Sequence, residues 1–144
     1  MPRLFFKIIR KFLSRPSEAW LLCRMALWVV VLSVTARCYS LPRALQIVAR
    51  TKNRKGVTSQ NDLARAIDLL LSADVFIFRP ICWKRAAVLH RYLSLNGIAT
   101  RIIFGVRNET DGKVSGHAWL EANGLPILER TPPEYVVTYS FPLS

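Results

Sequence analysis

The sequence predicts an α+β domain in which two helices are followed by an antiparallel sheet of at least three strands. Apolar residues at helical spacing indicate the helices, over residues 61–71 and from Cys82 to residue 95. β-rich runs at 99–106, 115–121 and 125–129, separated by short polar turns, indicate the strands. Helices followed by a meander of strands are the pattern of an α+β fold.

Composition and charge divide the chain into two parts. It has 144 residues, the size of one ordinary domain, and 51% hydrophobic residues, which excludes a disordered chain. Residues 1–55 hold 12 Lys and Arg but one acidic residue, whereas residues 56–144 hold 9 basic and 8 acidic residues. We therefore predict a basic, hydrophobic helical segment at 1–55 and a nearly neutral core at 56–144. Because no nucleic-acid-binding module is recognisable, we expect no nucleic acid partner.

The N-terminal segment contains an apolar run, residues 19–36, interrupted only by Arg24. Eighteen residues are close to the minimum that spans a bilayer, but an arginine costs about 2.5–3.5 kcal/mol at the centre of such a helix. We favour a packed helix, opened by Ser17 and Glu18, whose basic face contacts a membrane surface through residues 1–36. A membrane span and a signal peptide remain alternatives.

The middle of the chain contains one predicted linker and one helix start. Residues 41–60 are polar and basic, which indicates a loop. Asn61 or Asp62 then caps a helix. This helix, predicted over residues 61–71, buries an apolar face that consists of Leu63, Ile67, Leu70 and Leu71. After the helix, residues 75–78 form a short apolar bridge that ends at Arg79 and Pro80.

The second helix begins at Cys82 and ends at Asn96-Gly97, a stop signal. Lys84 and Arg91 fall on a different face from the apolar stripe. Turns at Asp111-Gly112 and Asn123-Gly124 then connect the strands. The stripe consists of Cys82, Ala86, Leu89 and Leu93.

Two residues of this pattern suit nucleophilic catalysis. Cys82 lies in the first turn of its helix, where free N–H groups and the helix dipole favour a thiolate. His117 lies between Gly116 and Ala118, whose small side chains leave room for an imidazole that accepts the thiol proton. For either residue alone, the ordinary alternative is a buried structural side chain. His90 is eight residues along the helix from Cys82, about 12 Å away, and is therefore not its base.

The cysteines also bear on the cellular compartment and on cofactors. The three cysteines form no plausible disulfide framework, so we expect a reducing, cytoplasmic setting. There is no zinc-binding Cys/His spacing and no phosphate-binding P-loop. We therefore expect neither a metal nor another cofactor.

The register of the last hairpin decides which acid can orient His117. Glu121 shares its face but lies about 13 Å along the strand. In a two-residue hairpin at Asn123-Gly124, paired residue numbers sum to 247 and Glu129 points to the wrong face. A three-residue loop or an equivalent bulge would place Glu129 opposite His117. A triad therefore requires such an irregularity, and an exposed glutamate at a strand end is the alternative.

Four motifs of this chain stand out: Cys82-x-x-x-Ala86, Leu93-x-x-x-Gly97-Ile98, Ile103-Phe104-Gly105-Val106 and Gly116-His117-Ala118-Trp119-x-Glu121. Together they resemble the leader peptidases of lasso peptide biosynthesis, which have a papain- or transglutaminase-like fold. The resemblance covers residues 61–129. It implies a papain- or transglutaminase-like triad in which Cys82 lies on a helix N-terminus, and that helix packs against an antiparallel sheet that carries His117 and Glu129. Family members usually have Asp where this chain has Glu129.

The resemblance also implies an activity and partners. It implies a cysteine peptidase that removes the leader from a ribosomally made precursor through an acyl-enzyme. A separate leader-recognition protein and a macrolactam-forming cyclase would act with it, as in the split form of the family. A transglutaminase-like acyltransferase is an alternative, since an amine also resolves a thioester. A non-catalytic scaffold that binds a partner or a membrane is the other.

Overall fold

A computed structural model describes residues 10, 15–49, 58–72 and 81–142. Within these ranges the chain forms four helices followed by a four-stranded antiparallel sheet, which confirms the α+β prediction. The predicted bridge at 75–78 and the boundary at residue 55 lie outside the described residues. The elements are α1 (Pro16–Cys38), α2 (Leu41–Ala49), α3 (Gln60–Leu71), α4 (Cys82–Leu95), β1 (Arg101–Asn108), β2 (Val114–Ala122), β3 (Leu125–Ile127) and β4 (Val136–Phe141).

Helix α1 packs as part of the protein core. Met25, Val29 and Leu32 lie on one side of the helix and are fully buried, in contact with the cluster that α2, α3 and α4 form. Pro16 occupies the start of the helix, where its missing N–H costs no hydrogen bond. The packed helix that we favoured for this segment is therefore observed. The prediction of a basic outward face is wrong, because the side opposite these three residues is apolar and exposes Trp20, Leu27 and Val34.

The prediction of a loop over residues 41–60 is wrong for its first half, because residues 41–49 form helix α2. Ala44, Leu45 and Val48 recur at helical spacing and are buried against the core. Pro42 signalled a break, but in the first turn of a helix proline removes no hydrogen bond. Burial of the apolar face thus stabilises a helix that the basic and proline residues concealed.

The next two helices follow the predicted apolar stripes. The cap of α3 is Ser59 rather than Asn61 or Asp62, because the Ser59 hydroxyl accepts a bond from the Asp62 N–H at 3.2 Å. Helix α4 ends as predicted at Asn96, and Gly97 has a φ of 78°. The side of α4 away from the sheet is also covered. There, Lys84 is only 7% exposed and the Arg91 guanidinium lies 3.5 Å from the ring centroid of Trp28 on α1.

The sheet has the strand order β3-β2-β1-β4, and α4 packs on β1 and β2. The Asp111-Gly112 turn connects β1 to β2, whose paired residues include Gly105 and His117. At the next hairpin Asn123 and Gly124 both have positive φ, 53° and 76°, as a two-residue type I′ turn requires. This arrangement brings the start of α4 and the middle of β2 to the same region of the molecule.

His90 on α4 makes stability sensitive to mild acid. Its side chain is buried, its Nδ1 lies 2.8 Å from the Thr100 hydroxyl, and burial lowers its pKa below the ordinary value of 6.5. The unfolded chain therefore binds the proton of His90 more readily than the folded chain does. The free energy of unfolding has its full value above pH 6.5 and decreases as pH falls from there toward the folded-state pKa. Denaturant unfolding between pH 7.5 and 5 should show this loss, and His90→Gln should reduce it. An unchanged pH dependence in His90→Gln would contradict this assignment.

Candidate active site

Cys82 is the first residue of α4, as the sequence predicted. Ile81 caps the helix in an extended conformation, and the Ile81 carbonyl accepts bonds from the N–H groups of Lys84 and Arg85. The N–H of Cys82 itself belongs to the first turn, whose donors have no partner within the helix. The Cys82 side chain is half-buried, and its thiol is free. The thiol therefore lies at the positive end of the helix dipole.

His117 projects from the centre of β2 into an aromatic cluster. Its ring stacks on Trp119 at 6.0 Å between centroids and packs against Tyr135 at 5.3 Å. Opposite His117 in the register is Gly105, where a Cβ atom would lie 2.7 Å from the Tyr135 Cβ and 3.0 Å from two ring carbons of Trp119. The absence of a side chain at Gly105 thus allows the two aromatic rings to hold the imidazole.

Glu129 reaches His117 by a route that the sequence left open. The β2–β3 hairpin has the 247 register, so the three-residue loop did not form. The strand ends at Ile127, and Leu128 then adopts a left-handed φ of 58°. This residue redirects the chain, and Glu129 Oε2 lies 3.3 Å from His117 Nε2. Leu128 therefore supplies the irregularity that a triad requires, after the strand rather than at its turn.

The contact between Glu129 and His117 selects a tautomer. With its proton on Nε2, the imidazole donates to the carboxylate and leaves the lone pair on Nδ1 free to accept a proton. The side chains are 28% and 18% exposed, so the pair is partly shielded from water. A histidine held in this form has the arrangement of a general base.

Cys82, His117 and Glu129 line a single open cavity of about 840 Å³. The segment 128–135 forms much of its wall, and Arg85 and Asp68 line the side next to the helices. The cavity is therefore large enough for several residues of an extended peptide.

The sequence interpretation missed two features of this site. Arg85 donates to Glu129 Oε1 at 3.4 Å, and Tyr135 packs on His117. Arg85 lies three residues after Cys82, a spacing that places both on neighbouring parts of the helix surface, so helical spacing could have identified it. Tyr135 gives no such signal, because it follows a Pro-rich stretch without regular structure.

Comparison with known proteins identifies the family of this chain. A family model described as the transglutaminase-like superfamily matches residues 26–140, which include part of α1, all of α2, α3 and α4, and the sheet up to residue 140. Neither curated proteins nor solved structures gave a significant match. The superfamily is typically made up of cysteine-dependent enzymes and includes both peptidases and acyltransferases. A cysteine at a helix start, a histidine on the adjoining sheet and an acid beside that histidine thus occur in a chain that belongs to the transglutaminase-like superfamily.

Proposed function

We propose that this protein is a cysteine peptidase that removes the leader from a ribosomally made lasso peptide precursor. The observation that carries the peptidase assignment is the His117–Glu129 pair in the cavity that Cys82 lines. The precursor as substrate, a separate leader-recognition protein and a macrolactam-forming cyclase rest on the resemblance of residues 61–129. We propose a cytoplasmic location because its three cysteines are free thiols.

Acylation begins with transfer of the Cys82 thiol proton to Nδ1 of His117. The thiolate attacks the carbonyl carbon at the leader–core junction and forms a tetrahedral intermediate. The N–H of Cys82, at the positive end of the helix, is positioned to donate to the developing oxyanion. The intermediate collapses when the C–N bond breaks and His117 returns its proton to the departing amine. The leader is then a thioester on Cys82, and the core has a free amine.

Deacylation reuses the same histidine. Neutral His117 accepts a proton from water while the water oxygen attacks the thioester carbonyl. The C–S bond breaks, and the Cys82 thiolate regains the proton from His117. The leader leaves as a new carboxylic acid, which loses its proton to solvent. Glu129 orients the imidazole in both steps and stabilises it while it is protonated.

Product mass distinguishes this peptidase from an acyltransferase of the same superfamily. The purified protein should be incubated with its precursor and the leader-recognition protein, in the presence of a primary amine. We expect a leader whose mass equals the sum of its residue masses plus one water, because hydrolysis leaves a free C-terminal carboxylate. The core should have a free N-terminus. A leader joined to the added amine would identify an acyltransferase. If neither the hydrolysed leader nor the amine conjugate forms, the result supports a non-catalytic scaffold.

We further propose that the outward side of α1 contacts an anionic lipid surface. Trp20, Leu27 and Val34 recur every seven residues on this side and are 65%, 60% and 52% exposed. The helix is long and apolar enough to cross a membrane, with a mean hydropathy of 1.9. Crossing would withdraw Met25, Val29 and Leu32 from the core and expose to water the apolar surface that they cover on the other helices, at about 25 cal/mol per Å². Surface contact avoids this cost, and the 12 basic residues of 1–55 favour anionic headgroups.

Vesicle binding tests this contact with two matched leucines. We expect the full chain to sediment with vesicles containing phosphatidylglycerol and to bind several-fold less to pure phosphatidylcholine. Leu27→Glu should reduce the bound fraction several-fold, because it places a negative charge on the apolar side of α1. Leu125→Glu, at a 68% exposed leucine of β3, is the control and should bind normally. Equal binding by both variants would contradict the proposal.

A further inference from the structure

Arg85 links three parts of the site that are far apart in sequence. It lies one turn after Cys82 on α4 and donates from Nη1 to Glu129 Oε1 at 3.4 Å. From Nη2 it donates to the Leu128 carbonyl oxygen at 3.1 Å. The same guanidinium therefore binds both the Glu129 carboxylate and the backbone of Leu128, whose left-handed conformation redirects Glu129.

Asp68 on α3 holds the other side of this guanidinium. Arg85 Nε lies 2.6 Å from Asp68 Oδ1, and Arg85 Nη2 lies 3.3 Å from Asp68 Oδ2. A planar guanidinium held by two bonds to a carboxylate has a defined orientation, unlike the ammonium of a lysine. The Arg85 side chain is only 23% exposed, so water competes for it less than for a surface arginine. Asp68 thus fixes the orientation of the group that contacts Glu129.

The two oxygens of Glu129 have separate partners. Oε1 accepts from Arg85, and Oε2 faces His117. A glutamate has three side-chain torsions, so in the absence of a second contact its carboxylate could rotate away from the imidazole. A cation on one oxygen and a bond on the preceding carbonyl restrict both the carboxylate and the chain that carries it.

We propose that Arg85 is a positioning residue, which acts through Glu129 to hold His117 in the orientation that accepts the Cys82 proton. This inference rests on the proposed peptidase function and assigns to Arg85 no contact with substrate. It explains how a glutamate that follows a short strand and a left-handed residue is held at a site that depends on precise geometry. The backbone alone does not specify the position of the Glu129 carboxylate. The Arg85 guanidinium, held in place by Asp68, does specify it.

A double-mutant cycle on precursor cleavage tests the pathway through Glu129. We expect Arg85→Met and Glu129→Gln each to lower kcat by about 10- to 100-fold with KM within about two-fold. The double variant should be no slower than Glu129→Gln, because the residue on which Arg85 acts is already absent. Arg85→Lys should retain part of the activity, since it keeps the charge without the planar fork. Arg65→Met, which removes an exposed ion pair with Asp62 on α3, is the control and should leave kcat unchanged.

Losses that add in the double variant would overturn the inference, as would a raised KM with unchanged kcat in Arg85→Met. Thermal unfolding identifies variants that fail to fold. If Arg85→Met is one of them, Arg85→Lys replaces it in the double-mutant cycle. Alkylation of Cys82 by iodoacetamide gives a readout that needs no precursor. If precursor cleavage is absent but alkylation of Cys82 slows equally in Arg85→Met, Glu129→Gln and the double variant, the proposed substrate fails and the positioning role stands. If wild-type Cys82 is no more reactive than Cys23, the proposed function itself fails.

Discussion

Replacement of Cys82 by alanine is expected to lower precursor cleavage by at least about 10³-fold while the fold remains intact. The physical reason is that no other group in the proposed mechanism can form the thioester, so the reaction loses its covalent route. The side chain is small and half-buried, so its loss leaves little cavity and the melting temperature should change little. Cleavage is measured by mass spectrometry of the precursor, and folding by circular dichroism.

The other two cysteines provide internal controls for this prediction. Cys23 and Cys38 are exposed free thiols on α1, so Cys23→Ala and Cys38→Ala should retain full activity. In wild-type protein, iodoacetamide should modify Cys82 faster than these two. In His117→Ala, modification of Cys82 should slow while the rates at Cys23 and Cys38 stay unchanged, because only Cys82 depends on the imidazole as a base. Full processing by Cys82→Ala would exclude the proposed mechanism.

Gly105→Ala is expected to reduce both stability and activity, although it adds only one methyl group. The new Cβ would lie 2.7 Å from the Cβ of Tyr135 and 3.0 Å from the Trp119 ring, closer than packed atoms approach. Neither neighbour can move freely, since Trp119 is 3% exposed and the Tyr135 Cβ is fixed to the backbone. Overpacking of this kind costs about 1–3 kcal/mol, which corresponds to a melting temperature lower by several degrees.

The loss of activity should exceed the loss that lower stability alone would cause, because the displaced rings are those that hold His117. A shift of about 1 Å in a catalytic group can cost about 10²-fold in rate. Gly116→Ala is a matched control on the neighbouring strand, where the nearest atom to an added Cβ is the Gly105 carbonyl oxygen at 3.9 Å. It should melt and cleave like wild-type protein. If the two alanine variants behave alike in melting and kcat, Gly105 has no role in placing His117.

The loop prediction for residues 41–49 shows where sequence reasoning misleads. Pro42 and the basic residues nearby are typical of a loop, and both are also tolerated in a helix whose proline lies in the first turn. What favours the helix is burial of Ala44, Leu45 and Val48 against α1 and α4, which depends on elements elsewhere in the chain. In such a case local propensity is a weak predictor, because tertiary packing outweighs it.

The register of the last hairpin shows the same limit at the site itself. Asn123-Gly124 predicts a type I′ turn from two residues alone, and the observed pairing follows from it. That pairing by itself would have turned Glu129 away from His117. The left-handed conformation of Leu128, which a leucine rarely adopts, reverses the outcome. No local signal in the sequence indicates it, and the stabilising contact comes from Arg85, 43 residues earlier.

The sequence by itself determined the α+β order, the start of α4 at Cys82 and the placement of His117 on a strand between small neighbours. Each of these depends on periodicity, caps or turn residues within a few positions, so a short stretch of chain contains the whole cause. The tertiary structure alone decided that Glu129 meets His117, that Arg85 and Asp68 hold it there, and that Tyr135 and Trp119 flank the imidazole. These contacts join residues on different elements, and only the packing of α3, α4 and the sheet brings them within bonding distance.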